Sequence, residues 1–484
     1  MFSISKRFYL RSWLLLLILI TTSLLTACAN QQQTQHPQHV TGSGHLYYIS
    51  KNGNNGDGLS WATAWNELDK INWSVIEPGD TILIDGGSLQ MVYTTTLTIG
   101  KSGTQSVPIT IKKAIDPGRN GHVIIFGGRT TALPYCNQPN YTVQTSGINA
   151  TGIAIGSAAW IVIDGGNWDG ITIHGTGEEA VYFDTGSTND TLRNLETYDN
   201  GAIDGSSPAA FGGGILIYGS NHIFDRVNIH DDAGDAFQPS GTNITITRSW
   251  LHQSREDPTQ PGTPFNQCEH QDGYQIWDGG IHTNISIENS IVGPGEKEGT
   301  ILGQTAFGSS QTAIVNNVTL NNDLFINKVI NIMGYPAVRE TGWKIDHVTV
   351  VGLNASTALW IEGVNHSITN SIFYNGHIVL PDGLAISSNN CQWKTDGNTS
   401  AIAGKTINPQ FITNISSFSD STPLEQIANA NFALQPNSLC AGKGSSITSV
   451  AQLIAGAYDL AAEVNLEERK VGTMVVGEDK LAGM

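Results

Sequence analysis

The feature that most constrains this chain is a short β-rich segment that recurs through its middle, each copy ending in a turn of Asn, Gly or Asp. Apolar and polar residues alternate in these segments, as in Ile244 to Thr247 and Ile285 to Glu288. Such alternation indicates strands with one inward and one outward face. Units this small cannot bury an apolar face alone, so neighbouring copies must stack into a solenoid.

The spacing of the copies predicts the kind of solenoid. The steps between successive copies are 32, 22, 41, 28, 30 and 23 residues. The anchor residues used for this alignment are Asn194, Arg226, Arg248, Asn289, Asn317, His347 and Asn370. A minimum step near 22 with insertions of variable length favours an all-β fold, a single-stranded right-handed parallel β-helix. A β-propeller or a leucine-rich repeat would show its own repeat signature.

Composition limits the classes of partner. Only 14% of the residues are charged, and the formal net charge is −18. A low charge fraction argues against a coiled coil or a charged disordered tail. An acidic chain repels polyphosphate, so the sequence predicts no nucleic-acid partner.

The first residues have the pattern of an export signal. Lys6, Arg7 and Arg11 precede an apolar run from Trp13 to Ile20, which is too short for a comfortable membrane span. Leu25 to Cys28 is similar to a bacterial lipobox, in which the Cys carries the lipid. We therefore expect a protein that is exported and attached to the bacterial cell envelope or surface through Cys28, with no other membrane contact.

These patterns divide the chain into four parts. We expect a lipoprotein signal peptide over residues 1–27, a flexible tether over 28–44, the β-helix over 45–450 and a tail over 451–484 that begins as a short helix. Four cysteines follow Cys28, and an exported protein permits two disulfides with three connectivities. The pairing we favour is Cys391 with Cys440.

Both ends of the predicted solenoid resemble bacterial pectate-lyase-like β-helix proteins. At the start, Tyr47 to Ser50, Ala62 to Trp65 and Glu77 to Ile82 are similar to the N-terminal cap and first coil of that family. At the end, Asn408 to Phe411 and Phe432 to Ser438 are similar to its closing segment. The resemblance implies the fold and a polysaccharide partner, but the superfamily includes lyases, hydrolases, epimerases and binding proteins.

The repeat register predicts one charged column. Equivalent positions in successive coils lie about 4.8 Å apart. The register stacks Asp235, Asp272 and Glu298, and then Lys328, in four consecutive coils that we expect to face outward. Like charges at this spacing need a cation or a basic neighbour, so the three acids are candidate ligands for Ca²⁺.

Other candidates surround this column. His230 and His252 each lie four residues after an anchor, and Gln275 follows the same alignment as Gln238, so we expect these side chains to stack and contact substrate. The longest insertion, between Arg248 and Asn289, begins near Arg255 and returns near His270. We expect Lys328, His270 and Arg255 to supply catalytic groups. Two aromatic residues at strand ends are candidate sugar platforms, Trp277 and Trp360.

Three functions fit these residues. The first is a polysaccharide lyase that acts on a uronate-containing glycan by Ca²⁺-assisted β-elimination, with a Lys, Arg or His as the base. The second is a β-helix on the surface that binds glycan, or serves as structure, without turnover. The third is a glycoside hydrolase with two carboxylates. Asp272 to Tyr274 partly resembles an element of the β-helix polygalacturonases, but Gly303 to Thr305 stands where that family has its His.

Overall fold

A computed structural model describes residues 44–131, 133, 147–203, 210–256, 272–276, 280–295, 298–302, 314–334, 340–353, 357–419 and 421–459. These residues belong to one compact unit. The predicted signal peptide, the tether before residue 44, the lipidation at Cys28 and the tail after residue 459 lie outside the described residues.

The strands pair in parallel and form three stacks that run along the solenoid axis. Strands of the first stack are Leu46–Ile49, Thr81–Ile84, Ile109–Lys113, Ile161–Asp164, Thr191–Tyr198, Ser220–His230, Thr242–Thr247, Ile281–Glu288, Ile314–Asn321, Glu340–Thr341, Lys344–Asp346, Gly363–Val364, Ser367–Thr369 and Ile386–Ser388. Two long strands, Thr191–Tyr198 and Ser220–His230, continue round the corner into the second stack.

The second stack carries the candidate functional site. Its other strands are Gln90–Tyr93, His122–Phe126, Ile171–His174, Trp250–His252, Ile291–Val292, Leu324–Asn327, Thr349–Gly352, Ile372–Val379, Asn390–Gly397 and Gly404–Thr406. The third stack contains Leu97–Thr98, Ile153–Ile155, Val181–Phe183, Ile215–Ile217, Phe237–Pro239, Asp272–Ile276, Glu298–Leu302, Ile330–Gly334 and Thr357–Trp360. A separate antiparallel pair joins Ala202–Ile203 to Ala210–Phe211.

This arrangement confirms the predicted fold class, a right-handed parallel β-helix. Inward-facing apolar side chains of successive coils form one continuous core, with Ile171, Leu195 and Val227 in register on the second stack and Ile229 in register with Leu251. Each coil hydrogen-bonds to the next and buries its neighbour's apolar face, so no coil is stable alone.

The residues used as anchors occupy a corner of the coil where the backbone is left-handed. Asn194 has φ 59°, Asn289 has φ 53° and Asn370 has φ 50°, a conformation that Asn tolerates better than most residues. One anchor is wrong: Asn317 pairs beside Asn284, and the corner residue of that coil is Asn322, with φ 59°. Both positions carry Asn, which is why the sequence alone did not separate them.

The C-terminal segment, residues 407–459, packs against the outside of the second stack. It contains two α-helices, Leu424–Ala428 and Val450–Asp459, and the 3₁₀ helix Ile415–Ser417. The other 3₁₀ helices are Leu68–Lys70 and Thr399–Ala401. Within the described ranges, none of the helices has the length and apolar character that a membrane crossing requires.

A disulfide joins this segment to the solenoid. Cys391 in the second stack bonds to Cys440, with Cα atoms 5.9 Å apart, as the sequence analysis favoured. The remaining cysteines after Cys28 lie outside the described residues. The bridge therefore links the cover of the second stack to the stack itself.

Candidate functional site

A ladder of aromatic and histidine side chains runs along the outer face of the second stack. Its five members lie in register on consecutive strands and are Phe126, His174, Tyr198, His230 and His252. Successive ring centroids are 5.0, 4.9, 5.4 and 4.9 Å apart, and the last three pairs are stacked. Strand alternation explains the outward direction, because Ile173 and Ile229, one residue earlier, belong to the core.

Among the described residues, the C-terminal segment covers the second stack mainly in the coils after this ladder. Trp250, Ile291 and Leu324 form an outward-facing column that continues through Thr349 to Ile372 and packs with Leu424 and other residues of that segment. In the preceding coils, the equivalent outward positions carry polar Thr172, Glu196 and Asn228 instead. The face is therefore largely apolar where it is covered and polar beside the ladder.

His230 lies between two carboxylates. Its Nδ1 is 2.8 Å from Asp231 Oδ2, and its Nε2 is 3.3 Å from Glu196 Oε1. Burial by itself would lower the pKa of His230, but the hydrogen bonds to Asp231 and Glu196 outweigh burial and raise it well above its ordinary value. The ring is therefore an imidazolium at neutral pH, and both of its N–H groups are committed to carboxylates.

The two carboxylates are held as anions. Burial opposes this, but the hydrogen bond with His230 lowers the pKa of Glu196 and that of Asp231 below their ordinary values. Thr172 donates to Glu196 Oε2 at 2.7 Å, and the backbone N–H groups of Ser254 and Arg255 both donate to Asp231 Oδ1 at 2.9 Å. Neither carboxylate is protonated near neutral pH, so neither is a general acid there.

His252 is also saturated. Its Nε2 bonds to Asn228 Oδ1 at 3.2 Å, its Nδ1 bonds to Ser254 Oγ at 3.2 Å, and its ring lies between His230 and Trp250. Burial, followed by the positive charge of His230, lowers the pKa of His252 well below its ordinary value. His230 and His252 therefore stack as predicted, but both rings are occupied by protein partners.

His174 and Tyr198 keep their polar atoms available. Within the described part of the chain neither the His174 ring nor the Tyr198 hydroxyl has a hydrogen-bond partner, and both residues are half-buried. Burial lowers the pKa of His174, so its imidazole is neutral. Burial, with the charges of Glu196 and Asp199, raises the pKa of Tyr198 to about 12, so its phenol is protonated. A neutral base and a protonated acid thus stand side by side.

The sequence analysis missed this pair although a signal existed. Tyr198 lies four residues after Asn194, the same offset that placed His230 after Arg226 and His252 after Arg248. His174 has no anchor of its own in that alignment, because its coil has a separate short strand, Ile171–His174.

Two arginines lie beside the ladder and share Asp199. Arg255 Nη1 donates to Asp199 Oδ1 at 3.2 Å, and Arg129 Nη2 is 3.9 Å from Asp199 Oδ2. Arg255 also donates to the Leu133 carbonyl at 3.1 Å. With His230, these arginines make three cations against the three anions Asp199, Glu196 and Asp231. These six charges therefore balance, although the chain as a whole is strongly acidic.

The predicted acidic column is placed differently from the expectation. The register does bring Asp235, Asp272 and Glu298 to consecutive coils of the third stack. Asp272, however, is 0% exposed and shares its strand face with the core residues Tyr274 and Ile276, so it does not face outward. Its backbone N–H donates to Asp235 Oδ1 at 2.9 Å, and Asp235 Oδ2 accepts from Gln238.

Lys328 does not continue this column. Ile330 pairs with Glu298 in the next coil, and Lys328 lies two residues earlier, in the connection between the second and third stacks. The prediction placed Lys328 at the same number of residues before its anchor as Glu298 lies before Asn317. That number does not transfer between the two coils, because Asn317 is not the corner residue and the connections differ in length.

The remaining predicted residues are divided between faces. Gln275 is buried and Trp360 half-buried on the outer face of the third stack, where Trp360 donates to Glu362 at 3.2 Å. Arg255 joins His230 and His252 on the second stack. His270, Trp277 and the Glu298 side chain lie outside the described residues. The predicted site is thus two groups of residues, of which only one surrounds the ladder.

The acidic residues that were predicted to bind Ca²⁺ do not form a metal site. Asp272 is sealed on an inward face, and both Asp235 oxygens already accept hydrogen bonds from protein groups. Among the described residues no group of three His, Cys, Asp or Glu side chains is arranged to hold a metal ion. These residues therefore give no basis for a Ca²⁺-dependent step.

One other constellation has the residue types of a nucleophilic triad. Ser187 Oγ is 3.3 Å from His222 Nε2, and Asp190 Oδ2 is 3.4 Å from His222 Nδ1. All three side chains are buried, and His222 Nδ1 accepts the Asp190 backbone N–H at 3.3 Å. That bond leaves the ring hydrogen on Nε2, so the ring donates toward Ser187 and cannot remove its proton. We interpret the three as interior packing.

The chain was compared with known proteins. No protein-family model matches it, and no curated protein sequence matches it. Solved structures do resemble it. A pectate lyase is 15% identical over 83% of this chain and 92% of its own, with a TM-score of 0.45. A rhamnogalacturonan lyase is 15% identical over 83% of this chain and 99% of its own, with a TM-score of 0.46.

A hydrolase is also among the similar structures. A lacto-N-biosidase of Eubacterium ramulus is 12% identical over 75% of this chain and 67% of its own, with a TM-score of 0.34. At such identities, a shared fold does not carry shared chemistry.

Proposed function

We propose that the protein is a polysaccharide lyase that cleaves a uronate-containing glycan by β-elimination, with His174 and Tyr198 as the catalytic pair. The observation that carries the proposal is this pair: a neutral imidazole and a protonated phenol on adjacent coils, 4.9 Å apart between ring centroids and within 5° of parallel. Their spacing along the axis is close to the repeat of one sugar residue in an extended glycan, so we place the glycan along the ladder.

The proton transfers follow from the protonation states. Neutral His174 takes the proton from C5 of the uronate, the C4–O bond breaks, and a C4=C5 double bond forms. Tyr198 gives its phenolic proton to the leaving glycosidic oxygen. A positioned general acid or base of this kind accelerates such a step by about 10²- to 10⁴-fold.

We propose that an arginine neutralises the negative charge of the substrate. Removing a C5 proton places negative charge beside the uronate carboxylate, which needs a positive partner. Arg255 is the more accessible of the two arginines, with a side chain 24% exposed against 3% for Arg129. We therefore assign the substrate carboxylate to Arg255, and to Arg129 the role of holding Asp199 in place.

Glycoside hydrolysis fits less well. That reaction needs one protonated and one ionised carboxyl group at the scissile bond. Glu196 and Asp231 are both ionised and both bound to His230. Asp232, whose pKa burial raises to about 7, is only 1% exposed and bonds to Thr197 and Asn200 instead.

One observation favours a second candidate, a β-helix that binds glycan without turnover. Most polar atoms of the cluster are already satisfied by other protein groups, as expected of a structural network. A panel of pectate, alginate, glycosaminoglycan and neutral glycans separates the candidates. Ultraviolet-absorbing unsaturated product supports the lyase, and new reducing ends without it indicate a hydrolase. Binding with neither product supports the non-catalytic class.

Export and lipid attachment through Cys28 belong to the same proposal, since a polysaccharide substrate would lie outside the cell. They rest on the order of basic residues, apolar run and lipobox-like Leu25 to Cys28. Replacing Cys28 by Ser should release the protein or leave it unprocessed. Unchanged processing and membrane fractionation would contradict lipid attachment.

A further inference from the structure

We infer that the ladder, as the surface that binds the glycan, is closed at one end and that the protein acts on chain ends, releasing short products. The inference rests on the proposed function and goes beyond it, because neither the fold nor the catalytic pair decides between cleavage inside a chain and cleavage at its end. Two observations support it: the exposure of the ladder side chains and the residues that pack around the last member, His252.

Exposure drops at the last member of the ladder. Phe126, His174, Tyr198 and His230 are all half-buried, with the His230 side chain 16% exposed, whereas His252 is only 2% exposed. The next position in register is Gly293, which has no side chain to continue the ladder. A glycan lying along the ladder therefore loses access to it beyond His230.

An end wall closes the ladder at this point, formed by Trp250, Gln253, Gly295 and Leu424. Trp250 stacks on His252 with ring centroids 3.4 Å apart, and its Nε1 donates to the Gly293 carbonyl at 2.9 Å. Gly295 packs so closely that an added Cβ would lie 2.8 Å from Gln253 Cβ and 3.0 Å from Leu424 Cδ1. The wall therefore leaves no passage for a sugar residue between these groups.

The wall is fixed to both the cluster and the C-terminal segment. Glu256 accepts the backbone N–H of Leu424, and Gln253 N–H donates to the Pro294 carbonyl at 3.0 Å. Ser254 and Arg255, within the same stretch, donate to Asp231. Opening the wall would thus require breaking contacts with the second stack.

The position of the catalytic pair then sets the product size. One member of the ladder, His230, separates Tyr198 from the closed end. Because each coil advances by about 4.8 Å, roughly one sugar residue, the closed side holds about one or two sugar residues. The rest of the glycan chain then lies on the other side, toward Phe126.

The test uses the full chain with hexamers of the glycan that it cleaves in the panel, labelled at the reducing end. We expect the first products to be a monomer or dimer plus its complement, with no trimers early in the reaction. Trimers and all other fragment sizes appearing together would overturn the closed end while leaving the lyase standing. No unsaturated product from any glycan would overturn the lyase, and this inference with it.

The product distribution of a variant with an altered end wall provides a second test. Glu256→Ala with Leu424→Ala removes the anchor and the apolar side chain of the wall, and should raise the share of products of three or more sugars several-fold. Leu453→Ala is the matched control, because Leu453 is buried in the same apolar cluster on the terminal helix. If the wall variant folds and keeps the wild-type distribution, or if the control changes it equally, the wall does not set product size.

Discussion

At the scale of the residue, neighbours decide which ladder members can exchange protons. His230 is a cation, but Asp231 and Glu196 take both of its N–H groups, so it has no ring nitrogen left for a substrate. His174 and Tyr198 are an uncharged imidazole and an uncharged phenol, and no described residue forms a hydrogen bond with the His174 ring or the Tyr198 hydroxyl. The catalytic pair is therefore identified by polar atoms that are available to a substrate, more than by the size of a pKa shift.

Sequence reasoning reached some of these residues and missed others for a physical reason. A constant offset from the corner residue predicts which side chains stack, and it placed His230 on His252. It does not predict whether a side chain faces inward or outward on another stack, because the corner between stacks changes the phase of alternation. Asp272 was therefore put on the outer face, whereas it shares the face of Tyr274.

Asp232 gives a prediction about pH and stability. Burial raises its pKa to about 7, whereas an unfolded Asp titrates near 3.9. Between about pH 4 and pH 7 the folded state keeps a proton that the unfolded state releases, so stability falls as pH rises through this window and is constant above it. The loss is at most roughly 4 kcal/mol, from about 1.36 kcal/mol per pKa unit.

Asp232→Asn removes this titration while retaining an oxygen for the Asn200 N–H. We expect the variant to gain more in melting temperature at pH 8 than at pH 4, relative to the wild type. Melting curves at both pH values decide it. An equal gain or loss at the two pH values would show that Asp232 is already ionised in the folded protein.

At the scale of the element, the coil corner was the most predictable feature and the insertions the least. Asn, Arg and His at the left-handed corner mark where each coil turns, so the repeat could be found from sequence. The connections between stacks vary in length, and no local sequence pattern shows in which connection an inserted residue lies. This is why Asn317 replaced Asn322 as an anchor and Lys328 was assigned the place of Ile330.

The disulfide predicts how the C-terminal segment is held. Cys391 and Cys440 close a loop with a sequence separation of 49 residues, and a loop of this size is worth roughly 4 kcal/mol in the chain-entropy account. Replacing both cysteines by serine should lower the free energy of unfolding by a few kcal/mol. The C-terminal segment should also become sensitive to protease before the coils do.

A reducing agent provides the matched control. It should lower the melting temperature of the wild type and leave that of the double serine variant unchanged. If the wild type melts at the same temperature with and without reductant, the bridge does not secure the segment.

At the scale of the whole molecule, a net charge of −18 surrounds a cluster whose charges balance. A polyuronate therefore approaches against long-range repulsion and meets balanced charges when it reaches the ladder. Salt screens the repulsion more than the short contacts, with a Debye length of about 30 Å at 0.01 M and about 8 Å at 0.15 M. We expect KM to fall over this range while kcat changes little.

Initial rates on one uronate glycan at several ionic strengths test this. A KM that rises with salt would mean that the residues around the ladder attract the glycan through unbalanced positive charge. The assignment of Arg255 and Arg129 as cations neutralised by Asp199 would then be wrong.

If His174 and Tyr198 carry out the β-elimination, the change Tyr198→Phe should remove the proton donor and leave the binding surface intact. This change removes one hydroxyl group and keeps the ring stacked between His174 and His230. With the glycan that the wild type cleaves, the rate of unsaturated product formation should fall by about 10²- to 10⁴-fold while binding and melting temperature stay close to wild type. A variant that retains wild-type turnover would contradict the account.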